Sequence, residues 1–222
     1  MDKNNIIEFR KKEKGNSIEP KVSQGEIETA GGCKTYRNGY FGLKIQVPGF
    51  WTTMDNDSIL ELAREKFQML NIPKDEREKL LQSMTSDTVS LFRATPFPSG
   101  TKQAYGESGE IDNPVISCTA QKVTMYPNWT ARDFVEDMVE NLKSGSMGIQ
   151  YEIVSDIVPV ITGGRRFEFV EGKAALNDGR YTVWTRYYSV LKKGYQLSVI
   201  ATCMSEEGYR DLSSIINNLR LE

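Results

Sequence analysis

The chain has 222 residues, 28 basic against 30 acidic side chains, three cysteines and no histidine. Without an imidazole there is no Ser-His-Asp or Cys-His catalytic pair, no zinc site of the usual His-bearing kinds and no side chain that titrates unperturbed near neutrality. A net charge of −2 supplies no field to gather nucleic acid or an anionic membrane, and apolar runs such as Val158-Pro159-Val160-Ile161 fall far short of the ~20 residues that span a bilayer.

Residues 1–34 hold only nine apolar side chains and read as a polar arm or linker, followed by a single domain over 35–222. The basic run Arg10-Lys11-Lys12-Glu13-Lys14 reads as a solvated tail, with Gly15-Asn16-Ser17 and Gly31-Gly32 as linker glycines and their neighbours. The polar start, Met1-Asp2-Lys3-Asn4-Asn5, lacks the apolar core of a signal peptide, so a cytosolic location is expected; an exported or lipid-anchored form would differ only in what precedes Met1.

Order is expected from Tyr36. Phe41, Leu43, Ile45 and Val47 alternate on one face of a strand that ends at Pro48, with Trp51 in the turn. Ser58 and Glu61 fit a capping box for a helix carrying Ile59, Ala63, Phe67 and Leu70, and a second helix is expected over Glu76–Met84. Strands follow at Thr88–Phe97 and Val115–Tyr126, separated by a long polar loop. Thr130 caps a third helix carrying Phe134, Val135, Met138, Val139 and Leu142, which ends at Ser144-Gly145-Ser146. Further strands are expected at Tyr151–Asp156, Arg165–Ala174, Tyr181–Leu191 and Tyr195–Cys203. Ser205 with Glu206 and Glu207 then opens a last helix whose buried stripe is Tyr209, Leu212, Ile215, Ile216 and Leu219. Consecutive strands on short turns predict an α+β fold with an antiparallel sheet and helices against its faces. Cys118 and Cys203 sit in alternating apolar stretches as core thiols, and Cys33 is the expected exposed one.

Two stretches carry a family resemblance. Tyr40-Phe41-Gly42-Leu43-Lys44-Ile45-Gln46-Val47-Pro48 with Trp51 behind it resembles the opening strand of PsbP-like domains. Gly194-Tyr195-Gln196-Leu197-Ser198-Val199-Ile200-Ala201-Thr202, followed by Ser205, a helix and Leu219-Arg220-Leu221, resembles their close. The resemblance spans about residues 35–222 in element order. It implies an α/β/α sandwich on a central antiparallel sheet, in a superfamily that includes a photosystem extrinsic subunit, a Ran-binding import factor and DcrB-like bacterial proteins. Its members are mostly noncatalytic, and the resemblance brings no catalytic residue set to this chain.

Several motifs resolve into structural readings. Asp55-Asn56-Asp57 begins like a calcium loop, but Ile59 and Leu60 stand where a ligand and a glycine are needed, so helix capping explains it better. Ser99-Gly100-Thr101-Lys102 matches an S-x-x-K motif without the helix it requires. Gly163-Gly164 before a strand reads as a tight turn rather than a phosphate cradle. Glu136, Asp137 and Glu140 lie on the outer, solvated side of the third helix, where they could also meet a basic protein partner.

The candidate binding residues are Trp184, Arg186 and Tyr188. Alternation places them with Thr182 on one face of their strand, opposite Tyr181, Val183, Thr185 and Tyr187. Helices covering both faces would make all of them core; an open second face would make Trp184, Arg186 and Tyr188 an interface of the residue types that dominate binding. No cofactor and no metal are expected. The leading functional reading is a noncatalytic protein-binding or adaptor module. A chaperone or carrier for hydrophobic segments or lipids would require an uncovered apolar groove, and a histidine-independent enzyme would require two carboxylates facing each other across a cleft.

Overall fold

The computed structural model describes residues 22, 25–69, 74–75, 88–98, 103–107, 109–124, 126–145, 149–176 and 179–222. The expected helix over 76–84, the basic run 10–14 and the 99–102 motif lie outside them. In chain order the strands are β1 (Glu26–Ala30), β2 (Cys33–Asn38), β3 (Leu43–Pro48), β4 (Thr52–Met54), β5 (Thr88–Thr95), β6 (Gln103–Tyr105), β7 (Glu110–Asp112), β8 (Val115–Lys122), β9 (Glu152–Ile153), β10 (Val158–Thr162), β11 (Arg165–Leu176), β12 (Tyr181–Lys192), β13 (Tyr195–Cys203) and β14 (Arg220–Leu221). The helices are α1 (Asn56–Met69), α2 (Ala131–Ser144) and α3 (Glu206–Asn217).

The result is a mixed α/β chain dominated by antiparallel sheets. The main sheet runs β10-β11-β12-β13-β8-β5-β4, with the short β9 also on β11; a smaller sheet runs β1-β2-β3-β14. Leu43, Ile45 and Val47 are buried as their alternation requires. They meet Phe92, Ile116, Leu197 and Val199 of the main sheet and Leu212 and Ile216 of α3 in one apolar core. On the opposite face of the main sheet, Val135 and Val139 of α2 pack on Val170 and Tyr187. Thus β12 is covered on both sides.

Order starts earlier than Tyr36. β1 and β2 form a hairpin around Gly31 and Gly32, whose φ values of 58° and 75° are those of a two-residue turn. The arm-to-domain boundary at 34/35 therefore falls inside β2. Four of the five β1 side chains are exposed, so no apolar alternation marks the strand. The loop before Val115 also differs from expectation, since it contains the β6–β7 ribbon. The α1 cap lies one turn ahead of Ser58: Asp55 Oδ1 accepts the Ser58 N–H at 2.9 Å, and these bonds hold the Asp55 carboxyl below its ordinary range. Thr130 and Asp133 do form the reciprocal cap of α2, and Gly145 ends that helix with φ 70°. Gly163-Gly164 is the β10–β11 turn. Cys118 and Cys203 are core residues whose thiols burial pushes up to about 12, while Cys33 is half-buried.

A β-bulge in β5 decides which way two large side chains point. Ser90 pairs with Thr119, but Phe92 pairs with Cys118, leaving Leu91 as the extra residue. Continued without it, the register would set Phe92 opposite Ser117 and Arg93 opposite Ile116. The bulge instead sends Phe92 into the core, where its ring lies 4.9 Å from that of Tyr36, and Arg93 to the α2 side of the sheet beside Ser117.

α3 is fixed by a buried carboxylate. Asp112, 1% exposed, accepts the N–H groups of Met204 and Ser205, both at 2.9 Å, and the Ser205 hydroxyl at 2.7 Å. Ser205 Oγ in turn accepts the Gly208 N–H at 3.0 Å, completing the cap. The ribbon adds two ties: the Tyr105 hydroxyl donates to Asp211 at 2.6 Å, and the Glu107 N–H donates to Glu207 at 3.0 Å. Gly208 is required at its position because a Cβ there would overlap Asp112 Oδ2 and Pro114.

Asp112→Ala is expected to lower unfolding free energy by about 3 kcal/mol, because it strands buried N–H groups without an acceptor. Gly208→Ala is expected to cost about 1–3 kcal/mol through overlap. Urea unfolding of both variants checks this; wild-type midpoints would contradict the anchoring role.

Candidate functional site

Trp184, Arg186 and Tyr188 share the β12 face that looks toward α3. Their cross-strand partners on β11 are Lys173, Glu171 and Phe169, and on β13 Cys203, Ala201 and Val199. α3 covers Arg186, and Arg186 and Tyr188 are 4% and 8% exposed. Arg186 Nη1 donates to Ser213 Oγ at 2.6 Å and Nη2 to the Tyr209 carbonyl at 3.1 Å. Its guanidinium carbon sits 4.0 Å from the centre of the Tyr209 ring, a desolvated cation–π contact. Tyr188 packs on Phe169 with ring centres 4.9 Å apart, and burial raises its phenol pKa against the opposing pull of Arg186.

Trp184 alone of the three reaches an opening. It lines a cavity of about 350 Å³ together with Glu171, Glu206, Tyr209 and Arg210. The α3 residues come from its first turn and a little beyond, so the Asp112–Ser205 anchor sets their position. The Tyr209 hydroxyl donates to Glu171 Oε2 at 2.8 Å. Burial first, and then the Glu171 carboxylate, push the Tyr209 phenol up to about 12. One side of the cavity is therefore rigid: Glu171 holds Tyr209, Tyr209 lies on Arg186, and Arg186 is tied to α3. At the mouth, Glu206 and Arg210 make neither a hydrogen bond nor an ion pair among the described residues, although they stand one helical turn apart.

Sequence reasoning isolated Trp184 through strand alternation. Helical spacing puts Tyr209 in the buried stripe of α3 and Glu206 at that helix's positive end, and no motif marks Glu171 or Arg210. Only packing brings those four together. A signal was present in part, since Tyr209 is the one residue of that stripe with a polar tip, and a half-buried tyrosine ordinarily finds a hydrogen-bond partner.

Two other depressions among the described residues differ in character. A groove of about 550 Å³ along α2 is lined by Trp129, Asp133, Glu136, Asp137, Glu140 and neighbours. Glu136 there pairs with Arg132 at 3.0 Å and Asp133 serves the helix cap. An apolar cavity of about 150 Å³ lies beneath α2, between Met138 and Leu142 on one side and Tyr187 and Ile200 on the other. Among the described residues no three of the Cys, Asp and Glu side chains gather closely enough to hold a metal ion.

Raised pH tests the Glu171–Tyr209 contact. A tyrosine whose folded pKa lies above its unfolded value stabilises the fold below about pH 10, and that contribution disappears as pH rises toward about 12. Tyr209→Phe is expected to flatten the decline in stability between pH 10 and 12, read by urea unfolding at stepped pH. An unchanged profile would place Tyr209 outside the contact.

No family model matches the chain, and no curated protein matches it. Among solved structures it is similar to LpqN of Mycobacterium tuberculosis, described as involved in cell envelope biogenesis, with a TM-score of 0.44, 9% identity, and coverage of 89% of this chain and 90% of that one.

Proposed function

We propose that the protein is a noncatalytic binding module of PsbP-like, α/β/α-sandwich fold, and that its partner is another protein which inserts a lysine or arginine side chain into the Trp184 cavity. The observation that carries this reading is the combination of an indole, that of Trp184, with two carboxylates, Glu171 and Glu206, around about 350 Å³ of open space. That volume is within the range of small-ligand sites and suits one long side chain with part of its main chain. A cation over an indole gains about 0.5–2 kcal/mol, more as water is excluded. Glu206 supplies charge at the mouth, and Arg210 offers donors to the carbonyls of the incoming main chain.

The enzyme alternative draws on the same cavity, because Glu171 and Glu206 both line it. Against a nucleophile or base role, one Glu171 oxygen is already held by the Tyr209 hydroxyl. The carrier alternative rests on the cavity beneath α2, whose volume of about 150 Å³ is below the ~300 Å³ at which drug-sized ligands are enclosed.

Selection of a random peptide display library against the wild-type protein is expected to enrich sequences around a fixed Lys or Arg. Trp184→Ala and Glu206→Gln should each lose about tenfold or more in affinity for an enriched peptide. Enrichment without a basic residue, or peptides that bind Trp184→Ala equally well, would overturn the reading.

A further inference from the structure

We infer that Arg93, with the hydroxyls of Ser90, Ser117 and Thr119, forms a binding site for a small oxyanionic group, a carboxylate or a phosphoryl, on the α2 side of the main sheet. The site is separate from the Trp184 cavity, which lies on the other face, and does not depend on the function proposed for it.

The β5 bulge creates the arrangement. It turns Arg93 away from the core and sets it directly across from Ser117, while Ser90, before the bulge, stays across from Thr119. Directly opposed residues on adjacent antiparallel strands have Cβ atoms about 5 Å apart, and next neighbours on the same face about 7 Å. One guanidinium and three hydroxyls therefore share one small area of a single sheet face.

Arg93 lacks what half-buried arginines ordinarily have. Its Nε is sealed from solvent with no hydrogen-bond partner, and among the described residues no carboxylate pairs with the side chain. Burial lowers its pKa. A guanidinium removed from water without a counter-charge is costly, and such groups are as a rule paired. Nε is the only one of its nitrogens both buried and unpartnered among the described residues, which leaves the terminal nitrogens as the donors for an incoming group. The planar fork they form matches the two oxygens of a carboxylate or phosphoryl.

The three hydroxyls are half-buried and make no side-chain hydrogen bond among the described residues. Their neighbours on the same face behave differently. Gln196 Nε2 reaches the oxygens of Tyr187, Ser189 and Ser198, and Tyr187 and Ser198 share a hydrogen bond at 2.8 Å. That network is internally satisfied and structural. Moving across the sheet from β13 to β8 and β5, polar side chains continue but the bonds between them stop, and the one cation of the row stands where they stop. Donors without acceptors around an unpaired cation define the chemistry of the missing partner as anionic oxygen.

The test uses the wild-type protein labelled with 15N, with its arginine Nε–Hε signals assigned through bonds. Sodium phosphate and, separately, sodium acetate are titrated at constant ionic strength against a sodium chloride reference. The Arg93 signal is expected to move saturably with at least one of the two; phosphate identifies a phosphoryl ligand and acetate a carboxylate. In Arg93→Gln the thermal midpoint without anion is expected to stay at or above the wild-type value, since an unpaired charge has been removed. The midpoint gain with the effective anion should vanish there, and Ser117→Ala should weaken apparent affinity by about fivefold, the effect of one hydrogen bond. An Arg93 signal that does not respond to either salt beyond the chloride control, or an anion-dependent midpoint gain that persists in Arg93→Gln, would overturn the site. The titration of the wild-type signal decides even where the variant fails to fold.

Discussion

The geometry of the Trp184 cavity depends on how one buried carboxylate starts one helix. Asp112 joins the end of the β6–β7 ribbon to the Met204–Ser205 segment, more than ninety positions further along the chain. It meets the positive end of α3 and satisfies N–H groups that the helix itself leaves unpaired. Each residue of an α-helix turns the chain by about 100°, so a start displaced by a single residue would carry Tyr209 off Arg186. The stack of Glu171, Tyr209 and Arg186 would then not form, and Glu206 and Arg210 would face elsewhere. The cap sets the phase of the helix, and the phase sets the cavity.

The main sheet shows a second constraint, that of two unlike faces. One is mostly apolar and packs on the smaller sheet and α3. The other mixes the α2 contacts with serines, threonines and a glutamine. Strand alternation keeps the faces distinct along β12 and β13. In β5 it would have placed Phe92 among hydroxyls and Arg93 in the core, a conflict that the single extra residue Leu91 removes. The extra residue also leaves Leu91 itself fully buried, so the switch exposes no large apolar side chain.

What was legible in the sequence had short-range causes. The alternation of Leu43, Ile45 and Val47, and of Tyr195 through Cys203, gave β3 and β13; Thr130 and Ser205 marked two helix starts through their own side chains; Gly163-Gly164 declared a turn. What was not legible depended on contacts distant in sequence. β1 is a strand because β2 offers it an edge, not because of its own composition. The β6–β7 ribbon looked like a loop because its strands have three residues each and it is held by partners on α3. Asp55 and Ser58 were both competent to cap α1, and sequence could not choose between them. At the candidate site, alternation placed Trp184, Arg186 and Tyr188 on one face correctly, yet whether that face was open depended on where α3 lay. α3 covers Arg186, Tyr188 packs on Phe169, and Trp184 is left beside the cavity.

The Trp184 cavity is proposed to receive a basic side chain. The most direct measurement is the indole N–H spectrum of the 15N-labelled protein, which carries three signals, from Trp51, Trp129 and Trp184. Titration with Nα-acetyl-arginine amide, and with Nα-acetyl-glutamine amide as the neutral control, is expected to move the Trp184 signal saturably with the arginine compound alone. The signals of Trp51, buried in the core, and Trp129, beside α2, should stay in place. A Trp184 signal that remains fixed, or that moves equally with the neutral compound, would contradict the account.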